Sequence, residues 1–363
     1  MRKTIFNFLN KIISPSKRIK IIKPKSRQFP YNIEVISENL TVPWALDISD
    51  EEKIYFTERS GSIRVIENGL LNPKPLITFK FPFVSENEGG LMGLALDPKF
   101  SQTHYIYLMH SYRENNILYN KVVRLIEKNN MATIDKILLD KIPGSQFHNG
   151  GRIKIGPDKK LYITTGDAEN PSLSQDISTL AGKILRIELN GDIPMDNPFT
   201  NSPVYSLGHR NPQGLAWNSR NILYSSEHGQ SAHDEINIII PGGNYGWPLV
   251  QGDETSTEIT IQKPLVHSKE ITWAPSGIAF INVGPWKDNL LVATLRGQQL
   301  LSISLNNEGT AIQNIEALLK GEYGRLRDVV QGKDGSIYIT TSNRDGRGNP
   351  SISDDRIIRL VLK

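Results

Sequence analysis

His148 stands in "QFHNGGR", two residues ahead of a glycine pair and four ahead of Arg152. A neutral imidazole is the usual general base near neutral pH, and adjacent glycines let backbone come close to a ligand. A lone histidine in a turn is more often structural, so its meaning depends on what surrounds it. Arginines form a second group: Arg210 in "GHRNPQG", Arg325 and Arg327 in "GRLRD", with Arg152 and Arg296 as further members. The planar guanidinium fork suits carboxylate or phosphate, and several in one concavity imply a polyanionic ligand. Taken singly, each arginine is better read as the partner of a carboxylate such as Asp328 or Asp167. Three or more on one face favour a bound anion. The third group lies in "SEHGQSAHDEIN", where Asp234 and Glu235 follow a glycine-containing loop. Adjacent carboxylates beside exposed carbonyls can hold a hard cation, most naturally Ca²⁺, although such a pair is more often a hydrogen-bond anchor. His228 and His233 lack a third ligand at a spacing that suits zinc. The chain has neither a nucleophile elbow nor a phosphate-cradling glycine loop, which disfavours acyl and phosphoryl transfer.

These residues are scattered over some 180 positions, from His148 to Asp328, so repeated elements must gather them. From Tyr31 onward a unit of turn, apolar strand, polar hairpin, aromatic-rich strand and alternating strand recurs six times. "VPWALDISDEEKIYFTE" opens the first, "LMGLALDPKFSQTHYIYLMHS" the second, and the stretch from His148 the third. The units start near 42, 91, 148, 211, 274 and 324, and a short strand precedes each one, from "YNIEVIS" to "IEALLKG". Six copies of four strands punctuated by Gly, Asn, Asp and Pro predict an all-β fold, a six-bladed β-propeller of antiparallel blades. The last unit ends at its third strand while "YNIEVIS" begins as an orphan, so the N-terminal strand is expected to close the ring. In such a blade, the loop leading into the inner strand and the loop after the second strand open on one face. "QFHNGG", "GHRNPQG", "TWAPSG" and "EYGRLRD" are of the first type; "SSEHGQSAHDE", "ATLRGQQ" and "SNRDGRGN" are of the second. The candidate residues therefore converge on one mouth of a central channel.

Composition sets the outer limits. The 363 residues contain no cysteine, which excludes disulfides and thiolate metal sites. No apolar run approaches the length of a transmembrane helix. The net charge of +4 is misleading, because residues 1–30 carry nine Lys/Arg and no acid. Without them 33 basic face 38 acidic residues, an acidic body that argues against nucleic-acid binding. The expected organisation is a basic arm over residues 1–30 and a propeller over residues 31–363. In the arm, Ile5, Leu9, Ile12 and Ile13 share a helical face, so its readings are peripheral contact with an anionic membrane, a mobile tail or a degenerate secretion signal.

"EGGLMGLALDP", "FHNGGRIKIGPD", "GKILRIELNGDIPMDNPF", "GHRNPQGLAW", "SEHG" with "DEINII", "GGNYGWP" and "GRLRDV" follow one another in order. Together they resemble the glucose/sorbosone dehydrogenase family, quinoproteins that use pyrroloquinoline quinone (PQQ), and within it the compact aldose sugar dehydrogenases. The resemblance covers about residues 31–363 and implies a location outside the cytoplasm or at a membrane. It implies oxidation of an aldose at its anomeric carbon to a lactone, with hydride passing to the quinone and electrons to an external acceptor. By motif position it implies that His148 is the general base and that Arg210 polarises the quinone carbonyl. It places Asn211, Gln213, Thr272, Ala274, Arg325 and Arg327 on the cofactor, and a calcium ion on the carbonyls of Gly229 and Gln230. Three positions depart from the pattern: Glu88 for a glutamine, Gln230 for a proline and Arg296 for a lysine. Glu88 puts a negative charge near an anionic cofactor, and with Arg296 is expected to bear on substrate or cofactor preference. Two other activities fit a six-bladed propeller: a calcium-dependent lactonase-type hydrolase, which needs several carboxylate or amide ligands in the channel, and a non-catalytic binding module.

Overall fold

The computed structural model describes residues 29–363, so the basic arm lies outside the described residues except for its last two. Six antiparallel sheets follow one another around an axis. The innermost strands, in blade order, are Pro43–Ile48, Leu91–Leu96, Ile153–Ile155, Pro212–Trp217, Pro275–Phe280 and Leu326–Gln331. The second strands are covered by neighbouring blades on both faces and therefore read as continuous buried runs; every residue of Leu161–Thr165 and of Ile337–Thr341 is buried. The core is correspondingly divided into apolar clusters between blades. Trp44, Leu91 and Ile163 belong to a cluster spanning the first three blades, while Ile278 and Leu301 belong to one beside the fourth and fifth.

Near the axis the inner strands come close enough to exclude side chains. A Cβ on Gly93 would lie 2.6 Å from Ile153 N, and one on Gly277 would lie 2.8 Å from Asp328 Cα. That crowding explains the repeated "G(L/I)A" of "LMGLAL", "PQGLAW" and "PSGIAF". Below the mouth, Arg152 and Asp328 close the axis: Arg152 Nη1 donates to Asp328 Oδ2 at 2.9 Å, and both side chains are 1% exposed. Arg152 Nε also donates to Gln213 O (2.9 Å), and Asp328 Oδ2 accepts from Leu46 N (3.1 Å), so one ion pair ties four blades together.

The ring closes as expected. Tyr31–Ser37 pairs antiparallel with Ile357–Leu362, Tyr31 facing Leu362, and forms the outer strand of the sixth blade. Tyr31 is buried and packs on Trp286 with ring centroids 4.6 Å apart. Two outer strands are shorter than the repeat suggests. In the first blade the edge is split between Leu70–Leu71 and Ile77–Thr78, both on the third strand. In the fourth it shrinks to Val266–His267, because the intervening segment carries the "GGNYGWP" excursion.

Candidate active site

The lead-in loops and the loops after the second strands enclose a cavity of about 880 Å³ at one mouth. His148 sits there in a left-handed conformation (φ +56°), followed by Gly150 (+65°) and Gly151 (+106°). A Cβ on Gly150 would come within 2.7 Å of Thr164 O, so the turn that presents His148 requires glycine. His148 Nδ1 lies 2.8 Å from Asp167 Oδ1, and Arg210 Nη2 donates to Nε2 at 3.0 Å. A carboxylate on Nδ1 fixes the ring proton there, so the Nε2 lone pair faces the cavity. Carboxylates also hold the loop itself: His148 N donates to Glu88 Oε2 (3.0 Å), and Phe147 N and Ser145 Oγ donate to Glu169 Oε2.

The Arg210 guanidinium, unlike those of Arg325, Arg327 and Arg347, pairs with no carboxylate among the described residues. Its Nη1 donates to the carbonyls of Gly229 (2.7 Å) and His228 (3.3 Å), and its buried Nε has no partner among the described residues. Burial lowers its pKa, and the charges of Asp167, Glu227, Glu88 and Asp234 offset part of that shift. Asn211 Oδ1 accepts from Gly150 N (3.0 Å) and Gln213 Nε2 (3.0 Å), stitching the third and fourth blades at the mouth. Arg325 and Arg327 are buried and share Asp345 Oδ2, at 2.8 and 3.4 Å. Burial brings Arg327 down to about 10. Burial alone would raise the Asp345 carboxyl, but the two arginines hold it below the ordinary carboxylate range. Arg296 also lines the cavity, exposed and without an ion pair among the described residues. In all, six arginines face four carboxylates around the wall.

The expected cation group is only partly assembled. Gly229 and Gln230 line the cavity, but Asp234 is occupied by three backbone donors: Gly229 N (3.0 Å), Trp273 N (2.7 Å) and Ala274 N (2.8 Å). It anchors the loops instead of offering oxygen to an ion. Glu235 does not line the cavity; it accepts from Gly252 N and Asn237 Nδ2, each at 3.0 Å. Asp234, the last residue before the strand Glu235–Ile239, lines the cavity, whereas Glu235 at the start of that strand is turned away from it toward Gly252 and Asn237. Burial, then the Glu227 charge, pushes the Glu235 carboxyl up to about 7. Thr272 Oγ1 donates to Ser231 O (2.8 Å), and Ala274 (φ +47°) carries the chain into the fifth inner strand. Both line the cavity.

Glu88 also lines the wall, but its charge is matched within the chain. Arg347 Nη1 donates to Glu88 Oε1 at 2.7 Å, and its guanidinium lies 5.1 Å from the Phe147 ring. Burial alone would raise the Glu88 carboxyl; the charges of His228 and Arg347 and the His148 N–H instead hold it below the usual range. Arg59, Asp345, Arg347, Trp44 and Glu169 are lining residues that motif reading missed. Arg59 follows the first blade's second strand in "TERSG", in the same type of exit loop as the one that carries Arg296 in "TLRG", and comparing exit loops blade by blade could have found it. Arg152, by contrast, lies beneath the cavity, paired to Asp328 as the plainer reading of a single arginine expected.

Residues 40–359 match the glucose/sorbosone dehydrogenase family. The structure is similar to that of a putative oxidoreductase (glucose dehydrogenase) from Thermus thermophilus, with 41% identity and a TM-score of 0.84, over 91% of this chain and 100% of that one. It is similar to the PQQ-bound aldose sugar dehydrogenase of Streptomyces coelicolor, with 35% identity and a TM-score of 0.82, over 92% and 98% of the two chains. The aldose sugar dehydrogenase YliI of Escherichia coli K12 is 31% identical over 87% of this chain and 91% of its own. The chain belongs to the glucose/sorbosone dehydrogenase family.

Proposed function

We propose that the chain oxidises aldose sugars at the anomeric carbon with PQQ as cofactor, releasing lactones and passing electrons to an external acceptor. The observation that carries this reading is His148, backed by Asp167 on Nδ1 and facing an arginine-lined cavity through Nε2. The donor set fits a tricarboxylate: six guanidiniums line the wall, and Arg210 Nε and His228 Nε2 are buried polar atoms with no partner among the described residues. Arg325, Arg327, Arg296 and Arg210 would hold the anionic groups, with Asn211, Gln213, Thr272 and Ala274 shaping the remaining wall. When bound, PQQ supplies the quinone that accepts hydride.

The chain's own part is proton transfer and orientation. A sugar hydroxyl takes the place of Arg210 Nη2 at His148 Nε2 and gives up its proton there. Asp167 accepts from the opposite side of the ring and stabilises the imidazolium that forms. Arg210, released from Nε2, keeps its charge at the cavity wall where negative charge develops. For calcium, the carbonyls of Gly229 and Gln230 would be the chain's ligands, both residues lining the cavity. Gly229 O meets the Arg210 guanidinium, so that carbonyl already serves a cation. The lactonase-type alternative is disfavoured because Asp234 is committed to backbone N–H groups and Glu235 lies off the cavity.

The test is reconstitution of purified protein with PQQ and Ca²⁺, followed by dye reduction across a panel of aldoses. Dye reduction that requires PQQ is the expected result; no PQQ binding and no turnover with any aldose would sink the reading. His148→Ala should retain PQQ while turnover falls by roughly 10²-fold or more.

A further inference from the structure

The carboxylate behind His148 is itself held by an aromatic side chain from another blade. Trp247 Nε1 donates to Asp167 Oδ2 at 2.9 Å, while Asp167 Oδ1 accepts from His148 Nδ1 (2.8 Å) and Glu169 N (2.9 Å). The Asp167 side chain is wholly buried, so no solvent replaces the indole donor. Trp247 is buried in turn and fixed at both backbone ends: its N donates to Gly208 O (3.0 Å), and its O accepts from Gln175 Nε2 (2.7 Å). Gln175 and Asn244 are joined by reciprocal amide bonds of 3.0 and 2.7 Å. The "NYGWP" excursion is therefore a bracket from the fourth blade to the base in the third.

We propose that Trp247 is a positioning residue for His148, acting through Asp167; the proposal rests on the reading of His148 as the general base. The indole N–H fixes the plane of the carboxylate and shares its negative charge. Without it the carboxylate rotates about Cβ–Cγ, and the imidazole loses its fixed aim. More of the carboxylate charge also falls on the Nδ1–H, which favours the protonated ring. His148 then becomes proton-free only at higher pH, so the acid limb of activity moves upward. The other charged groups around the ring are Arg210 on Nε2, whose guanidinium also lies 5.4 Å from the Trp247 ring, Glu88 on the backbone N–H with Arg347 beyond it, Glu169 on the neighbouring N–H, and His228 in the cavity wall. A packing role alone would lower stability without moving that limb.

Trp247→Phe keeps most of the ring volume and removes the donor. Expected are a fall in kcat of roughly tenfold, KM and PQQ affinity within about twofold of the unaltered protein, and an acid limb at higher pH. An unmoved limb overturns the proposal. A second measurement needs neither turnover nor a folded variant: NMR titration of the unaltered protein without added ligand. There the Trp247 indole N–H resonance should follow the His148 imidazole with the same midpoint, and an indole resonance blind to that titration overturns the proposal. If both resonances move together but PQQ neither binds nor supports dye reduction, the dehydrogenase reading fails while the coupling of Trp247 to His148 stands.

Discussion

Arg152 and Arg210 both precede inner strands, in adjacent blades, and both are withdrawn from solvent, yet they have opposite relations to charge. Arg152 faces Asp328 at 2.9 Å beneath the cavity, where the pair ties four blades. The Arg210 guanidinium meets two carbonyls and an imidazole at the mouth, with no carboxylate in contact among the described residues; only the backbone N–H reaches one, Glu227 Oε1. A guanidinium matched one-to-one by a buried acid is part of the frame; one matched only by neutral acceptors keeps its charge for a ligand, and Arg325 and Arg327, which share the single carboxylate of Asp345, keep part of theirs. The same division separates His110, buried among Phe79, Phe83 and Tyr112, from His148, which faces the cavity.

The sharpest way to break the contrast is at the floor. Asp328→Ala leaves the Arg152 charge buried without a carboxylate and should cost about 3–5 kcal/mol, read as a fall in the urea midpoint. Pairing it with Arg152→Met should recover much of that loss, because apolar replacement of both partners is often neutral. At the mouth, Arg210→Ala should weaken PQQ binding by roughly 10–100-fold, the worth of charge-assisted hydrogen bonds, with little change in stability. If Arg210→Ala destabilised the fold as much as Asp328→Ala, the division would be wrong. For the histidines the test is pH. Burial pushes His110 down to about 4, so between its unfolded range and that value only the unfolded chain takes up the proton. Stability should therefore drop as pH falls through that window, by on the order of 2 kcal/mol, and His110→Gln should flatten the drop. The smallest effect belongs to the rim: Arg347→Ala removes a half-exposed pair and should change stability by under about 1 kcal/mol. It should weaken PQQ binding measurably, because Glu88 is then uncompensated.

Most of the frame was legible because each blade repeats the same physics. Second strands read as buried runs, three of the six inner strands carry an axial glycine, and the orphan "YNIEVIS" pointed to a missing partner. The mouth was legible where a loop broke its own repeat, as at "QFHNGG" and "GHRNPQG". It was illegible where the loop looked ordinary, as with Arg59 in "TERSG"; in "SNRDGRGN" the loop was placed at the mouth, but Asp345 gains its meaning only beside Arg325 and Arg327. Asp234 and Glu235 show the opposite failure. Adjacency in sequence suggested a shared ion, whereas Asp234 is taken up by backbone donors at the cavity wall and Glu235 turns away from it toward Gly252 and Asn237. The role of Trp247 was hidden for another reason, since nothing in "NYGWP" reveals a hydrogen bond spanning 80 residues to Asp167.

The clasp between Tyr31–Ser37 and Ile357–Leu362 also sets the order in which the ring can be completed. Tyr31–Ser37 leaves the ribosome before every other propeller strand and finds its partner only when the last of them has emerged. Through nearly the whole synthesis of the propeller the growing chain is an open arc with an unpaired edge at its leading end, the kind of surface on which other chains pair. Closure is a single long-range event that waits for the sixth blade, and a chain released before Ile357 has no means to perform it.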